Sequence, residues 1–292
     1  VGGTLSATAV TGNVSDTGTQ AITGAATYIT QATGSNIILD DSANTYAAQV
    51  TFKADTGGNE AFGNLTFVDT GGIKLDADAD AAGDLFIDGS TDGAVGGNLT
   101  LTSVTGNVTQ GVALAVTGTT TVTTSADDAT ITLNTSTNAF TGAVTLTTND
   151  GDGTAANVTI DGGTTALVIA ASTVDGDLTL TSGNVAGITD TGTLTIGGNL
   201  SATTDDNAGV VTLDSLAVDG SIALATNSTG NATVSNDAGL EFAASTVGGA
   251  LTATAVTGNI IDSGALTIAG TSAFTTSADD ATITLNTSTN AF

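Results

Sequence analysis

The chain has 292 residues, a formal net charge of −27, and no His, Cys, Met, Pro or Trp. Without His and Cys it has no imidazole base, no thiolate nucleophile, no disulfide and no zinc site of the usual type. Lys53 and Lys74 are its basic residues, so nucleic acids and anionic membranes would be repelled. We therefore expect a structural or binding protein, not an enzyme, with no nucleic-acid partner and no membrane insertion.

The composition predicts a folded chain. Hydrophobic residues make up 40% and the mean hydropathy is +0.28, which is too apolar for a disordered acidic tail. Aromatic residues make up 3%, so the core must be filled by Ala, Val, Ile and Leu. We expect a thin core.

Internal repeats organise the chain. Units of one type start at residues 1, 95, 174 and 247, and the run TTSADDATITLNTSTNAF occurs at both 123–140 and 275–292. Unequal spacing suits a stack that gains and loses strands better than a string of equal domains. Phe292 aligns with Phe140, which is followed by another strand pattern. We interpret 1–292 as one continuous segment of a longer repetitive protein.

The local pattern alternates an aliphatic residue with Thr, as expected for short strands with one buried face. Gly, Asn, Asp or Ser follows most of these strands within about six residues, as turns require. In chain order, the clearest strands are Leu99–Thr102, Ala129–Leu133, Val144–Thr147, Val158–Ile160, Leu178–Leu180 and Leu194–Ile196.

Two all-β architectures fit this pattern. A parallel β-helix, or β-solenoid, needs small aliphatic residues inside and Gly or Asn at tight corners; at roughly 20 residues per coil it would have about 14 coils. Tandem β-sandwich repeats are the alternative, because the repeat spacing is close to the size of such a domain. We favour the solenoid, since inward-facing aromatic residues typical of sandwiches are few.

The repeats resemble those of large bacterial exoproteins of the filamentous-haemagglutinin-like and autotransporter-passenger-like group. The resemblance rests on VGGNLTLTSVTGNVTQ at 95–110, VTGNIIDSGALTIAG at 256–270 and TTSADDATITLN at 123–134. It implies a right-handed parallel β-helix, export to the cell surface or medium, and a role in adhesion, biofilm matrix or fibres. It brings no catalytic motif and no ligand.

The acidic residues concentrate in turns, and two interpretations of them stay open. Alternating carboxylates before a Gly turn resemble the start of a calcium loop, and calcium would also relieve the net charge. Solvated corners that prevent edge-to-edge pairing are the other interpretation, which we favour. The candidate calcium ligands are Asp76, Asp78, Asp80, Asp84, Asn149, Asp150, Asp152, and the pairs Asp127 and Asp128, Asp205 and Asp206, and Asp279 and Asp280.

Two other patterns have a local explanation. Asn-x-Ser/Thr triplets, such as those at Asn64 and Asn98, are formal glycosylation acceptors, but Gly-Asn is also a turn signal before a strand. Thr-x-Thr strands resemble the ice-binding surface of some antifreeze proteins, yet Thr is also a good strand former. Along the sequence Ala, Gly and Asp interrupt these pairs, which are Thr100/Thr102, Thr130/Thr132, Thr145/Thr147 and Thr193/Thr195.

We therefore predict a secreted or cell-surface structural protein, a rod or filament element that associates end to end or continues into a longer repetitive chain. Stacking of aliphatic ladders would hold it together, and an edge strand would be a template for the next copy. A calcium-stabilised monomeric adhesin stalk and an ice-binding β-helix are the alternatives. No surface or glycan ligand can be read from the sequence, and calcium is the sole cofactor considered.

Overall fold

The computed structural model describes residues 1–54, 63–76, 84–88, 94–149, 151, 156–205 and 208–292. In these residues the secondary structure is strand and turn, with no helix. Every pairing given for the described strands of one unit is parallel, as in Leu99–Ser103 beside Thr120–Thr124. The prediction of an all-β solenoid is confirmed, and tandem antiparallel sandwiches are excluded.

The chain divides into two compact units, Val1–Gly151 and Asp152–Phe292. The strands of unit 1 are β1 Leu5–Ala9, β2 Val14–Ser15, β3 Ala21–Ile22, β4 Ala26–Thr30, β5 Ile37–Leu39, β6 Thr45–Tyr46, β7 Val50–Ala54, β8 Leu65–Asp69, β9 Ile73–Leu75, β10 Asp84–Asp88, β11 Ala94–Val95, β12 Leu99–Ser103, β13 Val108–Gln110, β14 Ala115–Val116, β15 Thr120–Thr124, β16 Ile131–Leu133, β17 Ala139–Phe140 and β18 Val144–Thr147.

The strands of unit 2 are β19 Val158–Asp161, β20 Leu167–Ile169, β21 Ser172–Val174, β22 Leu178–Ser182, β23 Ile188–Asp190, β24 Leu194–Ile196, β25 Leu200–Thr204, β26 Val211–Val218, β27 Ser221–Thr226, β28 Ala232–Asn236, β29 Leu240–Phe242, β30 Ser245–Val247, β31 Leu251–Ala255, β32 Ile260–Asp262, β33 Leu266–Ile268, β34 Ser272–Thr276 and β35 Ile283–Thr284.

A typical turn contains one long strand, one short strand and a third, still shorter strand, as in β12, β13 and β14. Corresponding hydrogen bonds from a backbone N–H to an asparagine side chain recur after 21 residues between Asn98 and Thr119, and after 34 between Asn64 and Asn98. Because turns are longer than the 20 residues assumed from the sequence, the units together contain about 11 turns instead of about 14.

The core follows directly from the alternating pattern. In β12, Leu99, Leu101 and Ser103 point inward and are fully buried, while the threonines between them are half-buried. Unit 1 adds an aromatic cluster, in which the ring of Phe52 lies 5.9 Å from Tyr28 and 5.3 Å from Phe67. Burial of each such side chain contributes about 1.5–3 kcal/mol.

The Gly-Asn corners join each turn to the next. Asn64 Oδ1 accepts a hydrogen bond from the N–H of Asn98 at 2.9 Å, and Asn98 Oδ1 accepts one from the N–H of Thr119 at 2.9 Å. A Cβ added to Gly97 would lie 2.5 Å from the backbone carbon of Gly63, so the corner requires glycine there. Asn64 and Asn98 therefore have a structural role at these corners.

Within unit 1, one sheet runs in the order β1-β4-β7-β10-β9-β13-β16 and a second in the order β2-β5-β8-β12-β15-β18. The third strands form two separate ladders, β3-β6 and β11-β14-β17. The β3-β6 ladder follows strands of the second sheet, whereas β11-β14-β17 follows strands of the first. The repeat therefore changes sheets where two long strands, β7 and β8, follow each other.

Unit 2 has the same change between β27 and β28. Its first sheet runs β19-β22-β25-β27-β29-β32-β35 and its second β20-β23-β26-β28-β31-β34. Before the change the third strands β21 and β24 follow the second sheet; after it, β30 and β33 follow the first. We call the turns in which this change occurs, from β7 to β9 and from β27 to β29, the module junctions.

Candidate functional site

A cavity of about 470 Å³ lies at the module junction of unit 1. Tyr46 pairs with Ile22 in the β3-β6 ladder, and no further described strand continues that ladder. In the next turn the chain passes from β8 to β9 through Asp69, Gly71 and Gly72, which line the cavity together with Tyr46. The cavity thus exists because the third strand is missing at this corner.

The junction of unit 2 repeats this arrangement around a cavity of about 300 Å³. Val218 occupies the place of Tyr46, at the last position of the β21-β24-β26 ladder. The N–H of Val218 donates to Asn236 Oδ1 at 2.8 Å, and the N–H of Tyr46 donates to Asp69 Oδ1 at 3.4 Å. Residues 66–75 and 233–242 align without a gap, which makes Asp69 and Asn236 equivalent.

The two cavities differ in the residue that accepts this N–H hydrogen bond, which is Asp69 in unit 1 and Asn236 in unit 2. Asn236 is fully satisfied, because its Nδ2 donates to the carbonyl oxygens of Val218 at 3.1 Å and Gly239 at 2.6 Å. Asp69 is 3% exposed and carries a carboxyl instead. Burial raises the pKa of Asp69 above its ordinary value, although N–H groups of Gly71, Tyr46 and Thr70 act in the opposite direction. The site favours a neutral side chain.

Two tyrosines extend this polar region into the core of unit 1. Tyr28 and Tyr46 are 3% and 6% exposed. Burial is the main cause that raises the pKa of both phenols, and the negative charge of Asp16 adds to it. Both therefore remain protonated near neutral pH. The first cavity thus offers a buried carboxyl, backbone groups and a glycine corner, which is chemistry for hydrogen bonding.

The described residues include only part of the first predicted calcium loop. Asp76 forms an ion pair with Lys74, so a lysine already neutralises this carboxylate. Asp78 and Asp80 lie outside the described residues, and Asp84 begins β10 with its side chain also outside them. Calcium binding at this loop stays a prediction.

Asn149 and Asp127, which the sequence placed in different candidate sites, come together in adjacent turns. Asn149 Nδ2 lies 3.4 Å from Asp127 Oδ1, which also accepts a hydrogen bond from the N–H of Gly151 at 2.9 Å. Asp128, next to it, has the left-handed φ of 60°. Asp150 and Asp152 lie outside the described residues. The contacts in view link two corners within unit 1.

The remaining acidic pairs lie at corners of unit 2. The carbonyl oxygen of Asp205 accepts a hydrogen bond from Asn227 Nδ2 at 3.3 Å, while Asp206 is outside the described residues. Asp279 and Asp280 are exposed, and Asp280 has a φ of 63°. In the described part of the chain no three acidic side chains converge as a metal site would require. Nor do those residues contain a helix long and apolar enough to span a bilayer.

The Thr-x-Thr pairs fall into a different order in space than in sequence. Thr100/Thr102 of β12 pairs with Thr121/Thr123 of β15, which pairs with Thr145/Thr147 of β18. The segments that interrupt these pairs along the chain fold onto other strands of each turn. Two of the four predicted pairs therefore lie in register, with Thr121/Thr123 between them, on three successive turns. Thr132 of the pair Thr130/Thr132 lies on β16 of the first sheet, and Thr195 of the pair Thr193/Thr195 lies on β24 of unit 2.

Comparison with known proteins identifies the repeats. The family model described as repeats of unknown function (DUF5649) matches residues 1–53, 62–147, 155–227 and 229–292. The chain belongs to this repeat family. The first and last breaks between matches coincide with the two module junctions, so residues of two successive DUF5649 matches line each cavity. No curated protein and no solved structure matches the chain.

Sequence reasoning missed the junction cavities and the buried Asp69. The repeat starts at 95, 174 and 247 lie inside family matches, whereas the start at 1 coincides with the beginning of the first match. The available signal was the alignment of VDTGGIKL with SNDAGLEF, in which a polar residue ends a strand and a short corner follows.

Proposed function

We propose that this DUF5649 chain is a non-catalytic structural element of an extracellular fibre or adhesin, of the kind found in large repetitive bacterial exoproteins. The observation that carries the proposal is the repetitive stacking. Each described turn supplies both the backbone hydrogen bonds and the apolar ladder for its neighbour, and this interaction needs no ligand.

Strand β1 of unit 1 supports association through its edge. Strand β1 has a hydrogen-bonded neighbour, β4, on one side. Its inward residues are half-buried, while the equivalent Ala26 and Tyr28 of β4 are buried. An edge of this kind is a template for pairing with a further turn or another copy.

The charge of the chain tunes this association. With a net charge of −27, copies repel each other at low ionic strength, and salt at physiological concentration screens charges beyond about 8 Å. Association should therefore increase with salt. Acidic corners would keep lateral contacts weak while edges pair.

Thr8→Pro tests the edge. The N–H of Leu5 donates to the carbonyl oxygen of Ala25, and because donors alternate along a strand, the N–H of Thr8 points away from β4. Proline removes that donor without breaking a bond inside the unit. We expect sedimentation velocity to show fewer and smaller assemblies for Thr8→Pro than for Thr8→Val, with equal melting temperatures. Identical assembly of both variants, or a monomer at every salt concentration, would contradict the proposal.

A further inference from the structure

The second sheet of unit 1 carries threonines at every outward position of three successive strands. All are half-buried, whereas the inward residues between them, such as Leu101 and Val122, are fully buried. We call the set the threonine array; its two columns are Thr100, Thr121 and Thr145, and Thr102, Thr123 and Thr147.

The array repeats in two directions. Neighbouring strands lie about 4.8 Å apart, and residues two apart on one strand lie about 6.7 Å apart. The β-branched side chain of Thr is restricted at χ1, which limits the orientations that its hydroxyl and methyl groups can take. Thr66 of β8 extends the first column by one more strand, since it pairs with Thr100.

Charge is kept out of the array in a strongly acidic chain. The chain has 29 acidic residues, and none occupies an array position. Lys53 and Lys74 lie on β7 and β9 of the first sheet, so the other face of unit 1 is interrupted by charge. High strand propensity explains single threonines and columns such as Thr189, Thr212, Thr233 and Thr252 of unit 2. The array differs because two adjacent columns are threonine on all three of its strands.

We propose that the threonine array binds the surface of ice. A partner for it must itself repeat in two dimensions and offer hydrogen-bonding groups at a spacing close to that between strands, as the water oxygens of an ice plane do. The hydroxyl groups join that lattice and the methyl groups occupy the hollows between water molecules. A protein partner would instead need aromatic or charged anchors, which the array lacks. This activity goes beyond the proposed structural role and does not depend on it.

Two substitutions in one turn provide the test. Thr121→Tyr places a bulky ring in the centre of the array, and Thr132→Tyr places the same ring on β16, at a half-buried outward position of the first sheet. Thermal hysteresis and the uptake of the purified chain into a growing ice hemisphere are measured for each. We expect activity in the unsubstituted chain, its loss in Thr121→Tyr, and its retention in Thr132→Tyr.

Thr123→Lys puts a charge in the second column of the array. With this variant the test does not depend on the correct folding of Thr121→Tyr alone. Circular dichroism melts check that all variants fold, and the expected loss of ice uptake occurs at an unchanged melting temperature. Absence of hysteresis and ice uptake in the unsubstituted chain would overturn the proposal. So would an equal loss in Thr132→Tyr, or full activity in both array variants.

Discussion

Exchanging the side chains of Asp69 and Asn236 tests which hydrogen bonds stabilise the corner at each module junction. Asp69→Asn gives the first junction the side chain that the second one uses, and Asn236→Asp does the reverse. At the second junction the amide donates to the carbonyl oxygens of Val218 and Gly239. We expect Asp69→Asn to stabilise unit 1 and Asn236→Asp to destabilise unit 2.

The magnitudes follow from the hydrogen bonds gained or lost. Each new bond from the amide contributes about 1 kcal/mol, so Asp69→Asn should gain about 1–2 kcal/mol at neutral pH. In Asn236→Asp a buried carboxylate loses both donor bonds and faces two carbonyl oxygens, which should cost about 3 kcal/mol. Both sites are buried, with Asp69 3% and Asn236 1% exposed, so solvent screens neither effect.

The pH dependence of unfolding independently tests the sign of the stability change in Asp69→Asn. Because burial raises the pKa of Asp69 in the folded state, the unfolded chain loses this proton first as the pH rises. Stability is then lost between the unfolded and the folded pKa, and the whole penalty is present above the folded value. At acidic pH, below the unfolded pKa, the penalty vanishes. The advantage of Asp69→Asn should therefore grow from acidic to neutral pH.

Urea unfolding followed by circular dichroism, at matched ionic strength and several pH values, measures these differences. A midpoint for Asp69→Asn below that of the unsubstituted chain at neutral pH would refute the reasoning. A difference that does not change with pH would refute the role assigned to burial. Ser103→Ala, at the same strand position in β12, serves as a control without a titratable group.

Two further predictions concern the corners. Gly97→Ala should destabilise the fold by about 1–3 kcal/mol because its Cβ would clash with the Gly63 backbone. Gly18→Ala is the control, since an added Cβ there meets no atom within 4 Å and should not change stability. Equal urea midpoints for the two variants would be inconsistent with the close approach at Gly97. Calcium should raise the melting temperature beyond sodium chloride of equal ionic strength if the acidic corners bind it, and Asp127→Asn should reduce that difference; equal effects of the two salts would leave the corners as solvated turns.

The all-β fold class could be predicted because it depends on the local alternation of apolar and polar residues. The pattern Leu-Thr-Leu-Thr at 99–102 places its aliphatic side chains on one face whatever lies beside it. The number of turns was overestimated, since it depends on how many residues each corner takes. Corner length is set by contacts between turns, such as the bond from Asn98 to Asn64, which sequence alone does not reveal.

The junctions and the threonine array depend on which strands become neighbours. Nothing local in β7 or β8 tells that the repeat changes sheets between them, and so the cavity beside Tyr46 could not be foreseen. Likewise Thr121 and Thr145 are separated along the chain by β16 and β17, which belong to other sheets, and the array becomes visible once the register of β15 and β18 is known. Of the predicted acidic sites, Asn149 and Asp127 are joined by a contact between adjacent turns.

Cryo-electron microscopy of the purified chain, at low and at physiological salt, tests the structural proposal most directly. The account predicts filaments that lengthen with salt and show an axial repeat of about 4.8 Å, the spacing between paired strands. Isolated particles at every salt and protein concentration, or filaments without that repeat, would contradict it.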